Sequence, residues 1–172
     1  MYLPSYWDVV VMDEPEKRKR RVCFTGHRPE KLSIPESETK EKLKIEILKC
    51  IQEGFNVFIS GMARGVDMWA AEIVLHLRDN GYNIKLICAV PYKGFEDNWN
   101  SEWKLRYKQI LSRADLIRYI CLCYSKRCFQ IRNEWMVNHS AKVIAVYNGE
   151  KGGTCNTIRY ANKYNIPIIL II

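Results

Sequence analysis

The chain has 172 residues, 48% hydrophobic and 27% charged, which describes one ordinary globular domain with apolar material for a sizeable core. No apolar run has the length a bilayer-spanning helix needs, and the N-terminus lacks a signal peptide's basic-then-apolar order. The net charge of +8 favours an anionic partner without choosing among phosphates, nucleic acid and acidic surfaces.

Residues 1–20 read as an N-terminal extension, mixed in charge and without sustained periodicity. Its basic run Lys17-Arg18-Lys19-Arg20-Arg21 makes a solvated tail if the N-terminus is mobile. The folded domain is expected over 21–172. "VCFT" predicts a short buried strand, and Leu43, Ile47, Leu48 and Ile51 are spaced as one stripe of a helix ending near Gly54. "FNVFIS" is a second strand. "VDMWAAEIVLHLRDN", apolar around most of its circumference, is a well-buried helix, and "IKLICAV" is a third strand.

A helix is expected over about 99–113, a short strand near "DLIRYI", and a helix over about 130–140. "KVIAVY" is a fifth strand, "CNTIRYANKYN" a helix, and "PIILII" a last strand. Strands alternating with helices imply βαβ crossovers. The expected fold is α/β: a single Rossmann-like domain, its mainly parallel sheet of about six strands covered by helices on both faces.

Open parallel sheets bind ligands beyond the carboxyl ends of their strands, where the strand order reverses. The loops in question are Thr25–Pro29, Gly61–Asp67, Pro91–Trp99, Ser125–Arg132 and Asn148–Thr157. In "NGEKGGTCNT", Gly152 and Gly153 let backbone approach a ligand, Thr154 adds a hydroxyl, and the next helix aims its first amides at the same point. A plain strand-to-helix turn has the same composition. "SGMARGVD" brackets a turn with Gly61 and Gly65. Its Asp67, near a helix start, is either a cap or a ligand contact. The GxGxxG dinucleotide fingerprint is absent.

Arg28, Arg127 and Arg132 are the guanidiniums placed for a phosphate. In "TGHRP", Gly26 permits close approach and Pro29 keeps the exit extended. His27, with no nucleophile paired to it, is a ligand contact or a loop anchor. Tyr92, Phe95 and Trp99 either stack on a base or ribose or cover the sheet edge, and packing is the commoner role. Cys121, Cys123 and Cys128 do not have zinc spacing, so no metal is expected. Seven cysteines scattered through apolar segments suit reduced thiols and a cytoplasmic protein.

"TGHRP", "SGMARGVDMWAAE", "PYKGFEDNW", "RNEWMV" and "YNGEKGGTCNT", in this order over residues 22–172, resemble the YpsA-type branch of the SLOG superfamily. The resemblance implies a Rossmann-like fold and binding of a nucleotide-derived ligand, ADP-ribose-like or a nucleoside phosphate, with no further cofactor. The ligand-binding set it implies is Thr25, Gly26, His27, Arg28, Gly61, Gly65, Asp67, Arg132, Asn133, Gly152, Gly153, Thr154 and Thr157.

Two related groups give the alternatives. LOG phosphoribohydrolases cleave the base from a nucleoside monophosphate, and "RNEWM" places Arg132 on the arginine of their Arg-Lys-x-x-Met stretch. Their catalytic glutamate falls on Thr157, which cannot serve as a carboxylate, so this resemblance leans away from an enzyme. Glu134, Glu96, Asp97 and Asp67 are the carboxylates left to substitute. DprA, which binds single-stranded DNA, shares the pattern at Ser60–Asp67, Arg132–Asn133 and Gly153–Thr157, so nucleic acid is a second candidate partner. SLOG relatives often dimerise through helices beside the site. "VDMWAAEIVLHL" fits such a homo-oligomer or simple core burial equally.

Overall fold

The structure, a computed structural model, describes residues 13–172. A short helix α1 (Glu14–Arg18) precedes strand β1 (Arg21–Gly26), and a 3-10 turn over Pro29–Lys31 leads to α2 (Glu36–Gln52). Then follow β2 (Val57–Ser60), α3 (Val66–Asp79), β3 (Lys85–Val90), α4 (Ser101–Arg113) and β4 (Leu116–Tyr119). The chain closes with α5 (Cys128–Asn138), β5 (Lys142–Val146), α6 (Gly153–Lys163) and β6 (Ile168–Ile171).

All six strands pair in parallel, in the order β4-β3-β2-β1-β5-β6. The chain steps outward from β1 to β4, then returns to lay β5 along the free edge of β1, with Gly26 opposite Val146. The strand order reverses at that point, so the crevice expected of an open parallel sheet falls between β1 and β5.

Successive strand side chains point to opposite faces, and both faces are covered, which is why the strands read as continuous apolar runs. Leu86, Cys88 and Val90 of β3 join the larger core with Leu43 and Ile47 of α2, Trp69 and Val74 of α3, and Tyr107 and Ile110 of α4. Ile87 and Ala89 point the other way, into a smaller core with Met136 and Val137 of α5 and Ala161 of α6. Helix α3 buries nine of its fourteen residues within its own chain, so core packing explains its apolar circumference and removes it as a ground for dimerisation.

One sequence expectation shifts. The basic run is not a free tail: Lys17 and Arg18 lie in α1, Arg18 Nε donates to the Ser140 carbonyl at 3.1 Å, and Arg21 belongs to β1. The part of the extension over residues 1–12 lies outside the described residues. Strand β4 ends at Tyr119, so Cys121 and Cys123 sit in the following loop. No helix among the described residues is long and apolar enough to cross a membrane.

Candidate functional site

Beyond the carboxyl end of the sheet lies a cavity of about 370 Å³. All five segments expected there contribute to it, Ser125–Arg132 through the start of α5.

The loop after β1 supplies Thr25, Gly26, His27 and Arg28. His27 is only 5% exposed and stacks on Tyr147 beyond β5, ring centroids 5.5 Å apart, so it ties the two loops of the crevice together. Burial disfavours the imidazolium and holds its pKa below the ordinary value, which makes a neutral ring at pH 7. Its Nε2 is buried with no hydrogen-bond partner among the described residues. Gly26 lines the cavity, but a Cβ there would come within 2.5 Å of Val66, so packing against α3, not ligand approach, requires its glycine.

The loop after β2 is braced from within. Ser60 Oγ donates to the Asp67 carbonyl at 2.8 Å and accepts from the Met62 amide at 3.1 Å, and buried Met62 sits at φ 60°. Gly65, at φ 90°, has room only for hydrogen on its outer side: a Cβ would lie 2.8 Å from Pro29 Cδ and 3.0 Å from the His27 carbonyl. The two loops therefore dock backbone to backbone.

Asp67 Oδ2 accepts from the Ala63 amide at 3.3 Å, so the carboxyl braces its own loop rather than capping α3. Its Oδ1 has no hydrogen-bond partner among the described residues. Burial pushes this carboxyl up to about 6, with the nearby Arg132 charge opposing the shift.

Arg132 and Asn133 come from α5, not from a loop. Arg132 is 5% exposed; its Nη1 donates to the Gly61 carbonyl and its Nε to Asn133 Oδ1 at 2.9 Å. Burial works against the guanidinium's charge and Asp67 supports it, so each group makes the other's burial tolerable. Gly61 itself is enclosed beneath these two side chains.

The loop after β5 brings Lys151, Gly152, Gly153 and Thr154. Gly152 is the N-cap of α6 at φ 149°, and no side chain caps the helix, leaving its first amides free to donate. Exposed Arg28, Lys31 and Lys151 add positive charge to the rim, Lys31 Nζ lying 3.7 Å from a Glu150 carboxylate oxygen, and among the described residues Asp67 is the one carboxylate in the lining. Anions therefore meet free amides and cationic side chains, with the buried carboxyl below.

The structure thus brings Thr25, Gly26, His27, Arg28, Asp67, Arg132, Asn133, Gly152, Gly153 and Thr154 around one cavity. Gly61 and Gly65 support it from behind. Thr157 stays out: it is fully buried and its hydroxyl donates back to the Gly153 carbonyl at 2.9 Å. Arg127 is exposed and outside the lining, and Glu134, Glu96 and Asp97 do not line it either. Sequence reasoning missed Lys31, Lys151 and Phe129. Phe129 lies in the first turn of α5, which starts two residues before the expected helix. No group of three or more His, Cys, Asp or Glu among the described residues is placed to hold a metal ion.

A parallel six-stranded sheet whose strand order reverses beside the start of α6, with helices on both faces, defines a Rossmann-like α/β domain. The chain belongs to the YspA SLOG family, whose model matches residues 22–169. It is 34% identical over 142 residues to the uncharacterized SPbeta prophage-derived protein YoqJ of Bacillus subtilis, covering 73% of this chain and 83% of that one. A UPF0398 protein of Bacillus cereus is 30% identical over 142 residues, 77% of each chain. Among solved structures, DNA processing protein A of Helicobacter pylori superposes with a TM-score of 0.64 at 20% identity, over 99% of this chain and 78% of that one. That likeness is one of fold.

Proposed function

We propose that the protein binds a nucleotide-derived ligand, an ADP-ribose-like molecule or a nucleoside phosphate, with its phosphate at the N-terminus of α6. The observation that carries this reading is the uncapped start of α6, with Gly152 at φ 149°, opening into a cavity rimmed by Arg28, Lys31 and Lys151. Free helix amides and a dipole's positive end need no further device to hold a phosphate. His27 and Asp67 line the same cavity, and their buried Nε2 and Oδ1 have no hydrogen-bond partner among the described residues, a polar capacity the ligand's remaining groups would draw on if the lining opens. Seven free thiols fit the reducing cytoplasm as its location.

Calorimetry of the full chain with inorganic phosphate, AMP and ADP-ribose tests this. Binding of either nucleotide more tightly than phosphate supports it, and no heat from any of the three at millimolar concentration rules it out.

A second reading, hydrolysis of a nucleotide N-glycosidic bond, draws on Asp67. Its carboxyl, near 6, is suited to proton transfer at neutral pH, and it alone among the candidate carboxylates lines the cavity. Base released from a nucleotide panel and lost in Asp67→Asn would favour it. Single-stranded DNA binding, a property of the Helicobacter pylori protein, is a third reading, favoured by the shared fold and the cationic rim. It predicts oligonucleotide affinity that falls steeply with salt.

A further inference from the structure

We propose, resting on the phosphate reading above, that the aromatic end of the cavity seats a nucleobase and that the ligand is a nucleoside monophosphate. The cavity's two ends differ in chemistry. At one, the α6 amides and Lys151 face the solvent; at the other stand Phe95, from the segment after β3, and Phe129, from the first turn of α5.

The two rings lie 5.7 Å apart and are tilted by 57°, so they form a corner. A planar base lying on one ring meets the other with its edge, the offset and edge-to-face contacts that aromatic systems favour. The corner is set before any ligand arrives. Tyr92 meets both rings edge-on, at 5.8 and 6.1 Å, and Trp99 meets Phe95 at 5.0 Å, itself held by Tyr107 at 5.4 Å. Core packing accounts for the rings behind and for most of Phe95, which is 8% exposed; half-buried Phe129 is the more open of the two rings that border the cavity. Rings fixed in this way bind a base without the entropy cost of ordering side chains.

Dimensions select the ligand's size. The phosphate end belongs to β5 and β1, and the aromatic end to the β3 side of β2, a span of two to three strand spacings, on the order of 10–14 Å. A nucleoside monophosphate is of comparable length. The volume of about 370 Å³ falls at the lower end of the roughly 300–1,000 Å³ usual for small-molecule sites, room for one nucleoside and its phosphate. Between the ends lie Asp67 and His27, each only 5% exposed, whose buried Oδ1 and Nε2 find no hydrogen-bond partner among the described residues.

Calorimetry of the full chain with ribose 5-phosphate, AMP and ADP-ribose, on the wild type and Phe129→Leu, tests the assignment. The base should tighten AMP over ribose 5-phosphate by about tenfold or more. Phe129→Leu should erase most of that advantage while leaving ribose 5-phosphate affinity unchanged, which also shows that the variant is folded. Nuclear Overhauser contacts from the AMP base protons to phenylalanine ring protons give a readout that needs no variant. Equal affinity for AMP and ribose 5-phosphate, or absence of those contacts, overturns the base seat while the phosphate reading stands. ADP-ribose binding tenfold more tightly than AMP overturns the monophosphate assignment. If none of the three binds, the phosphate reading falls and this proposal with it.

Discussion

Asp67 and Arg132 converge on Gly61 from different helices and occupy the space its side chain would fill: a Cβ there would lie 2.7 Å from Asp67 Oδ2 and closer still to the guanidinium. Both side chains are 5% exposed, so neither has a solvent-filled alternative nearby. Gly61→Ala should therefore destabilise the fold by about 1–3 kcal/mol, the usual range for overpacking a buried site. Urea unfolding measures it, and a midpoint equal to the wild type's would show that the two groups have room to move.

Gly153 offers the opposite case. It is the first residue of α6, its φ is not positive, and a Cβ would meet nothing closer than Asn133 Nδ2 at 3.8 Å. A carboxylate in a helix's first turn is favourable to the helix itself. Gly153→Asp should keep or slightly raise the melting temperature while cutting nucleotide affinity at least about tenfold, since like charge then faces the phosphate. Unchanged affinity in a folded variant would move the phosphate elsewhere.

Asp67 makes stability depend on pH in a defined window. Burial raises its pKa from 3.8 to about 6, so the folded state keeps a proton where the unfolded chain has lost it. This contribution is fully present below about pH 4 and disappears as pH rises through 6, a change of up to about 3 kcal/mol. Asp67→Asn cannot titrate, and its stability should be flatter between pH 4 and 6. Denaturant midpoints across that range settle it: parallel curves for the two proteins would contradict the assignment.

The cysteines should separate by accessibility. Cys23, Cys50, Cys88, Cys128 and Cys155 are buried and Cys121 is half-buried, whereas Cys123 is exposed. Burial pushes the Cys23 and Cys88 thiols up to about 12, which suppresses the reactive thiolate. An aromatic disulfide reagent should label one thiol rapidly in the native protein, and Cys123→Ser should remove that fast phase. A fast phase that survives would place the reactive thiol elsewhere.

Much of this was legible in the chain itself, for identifiable reasons. Strands such as "IKLICAV" stand out because a parallel sheet covered on both faces leaves no polar alternation to confuse them. The site loops followed from the rule that such sheets bind ligands past their strand ends. Strand order did not follow, because nothing in "KVIAVY" states that it pairs with the free edge of β1. Gly26 looked like a place for a ligand because the sequence cannot show Val66, forty residues away, filling that space. Thr157 aligned with a catalytic position, yet a threonine hydroxyl inside a helix readily turns back to the carbonyl four residues earlier, as it does here. Phe129 hid because the start of α5 carries no capping side chain to mark it.

The pairing of β1 with β5 also sets an order of events during synthesis. Gly26 leaves the ribosome well over a hundred residues before Val146, its neighbour in the finished sheet. At about 5–20 residues per second, one edge of β1 waits on the order of ten seconds for its partner. Until then the nascent chain presents an open strand edge, a template for wrong pairing, and the crevice has only one wall. The start of α6, which lines the other side of that crevice, emerges later still.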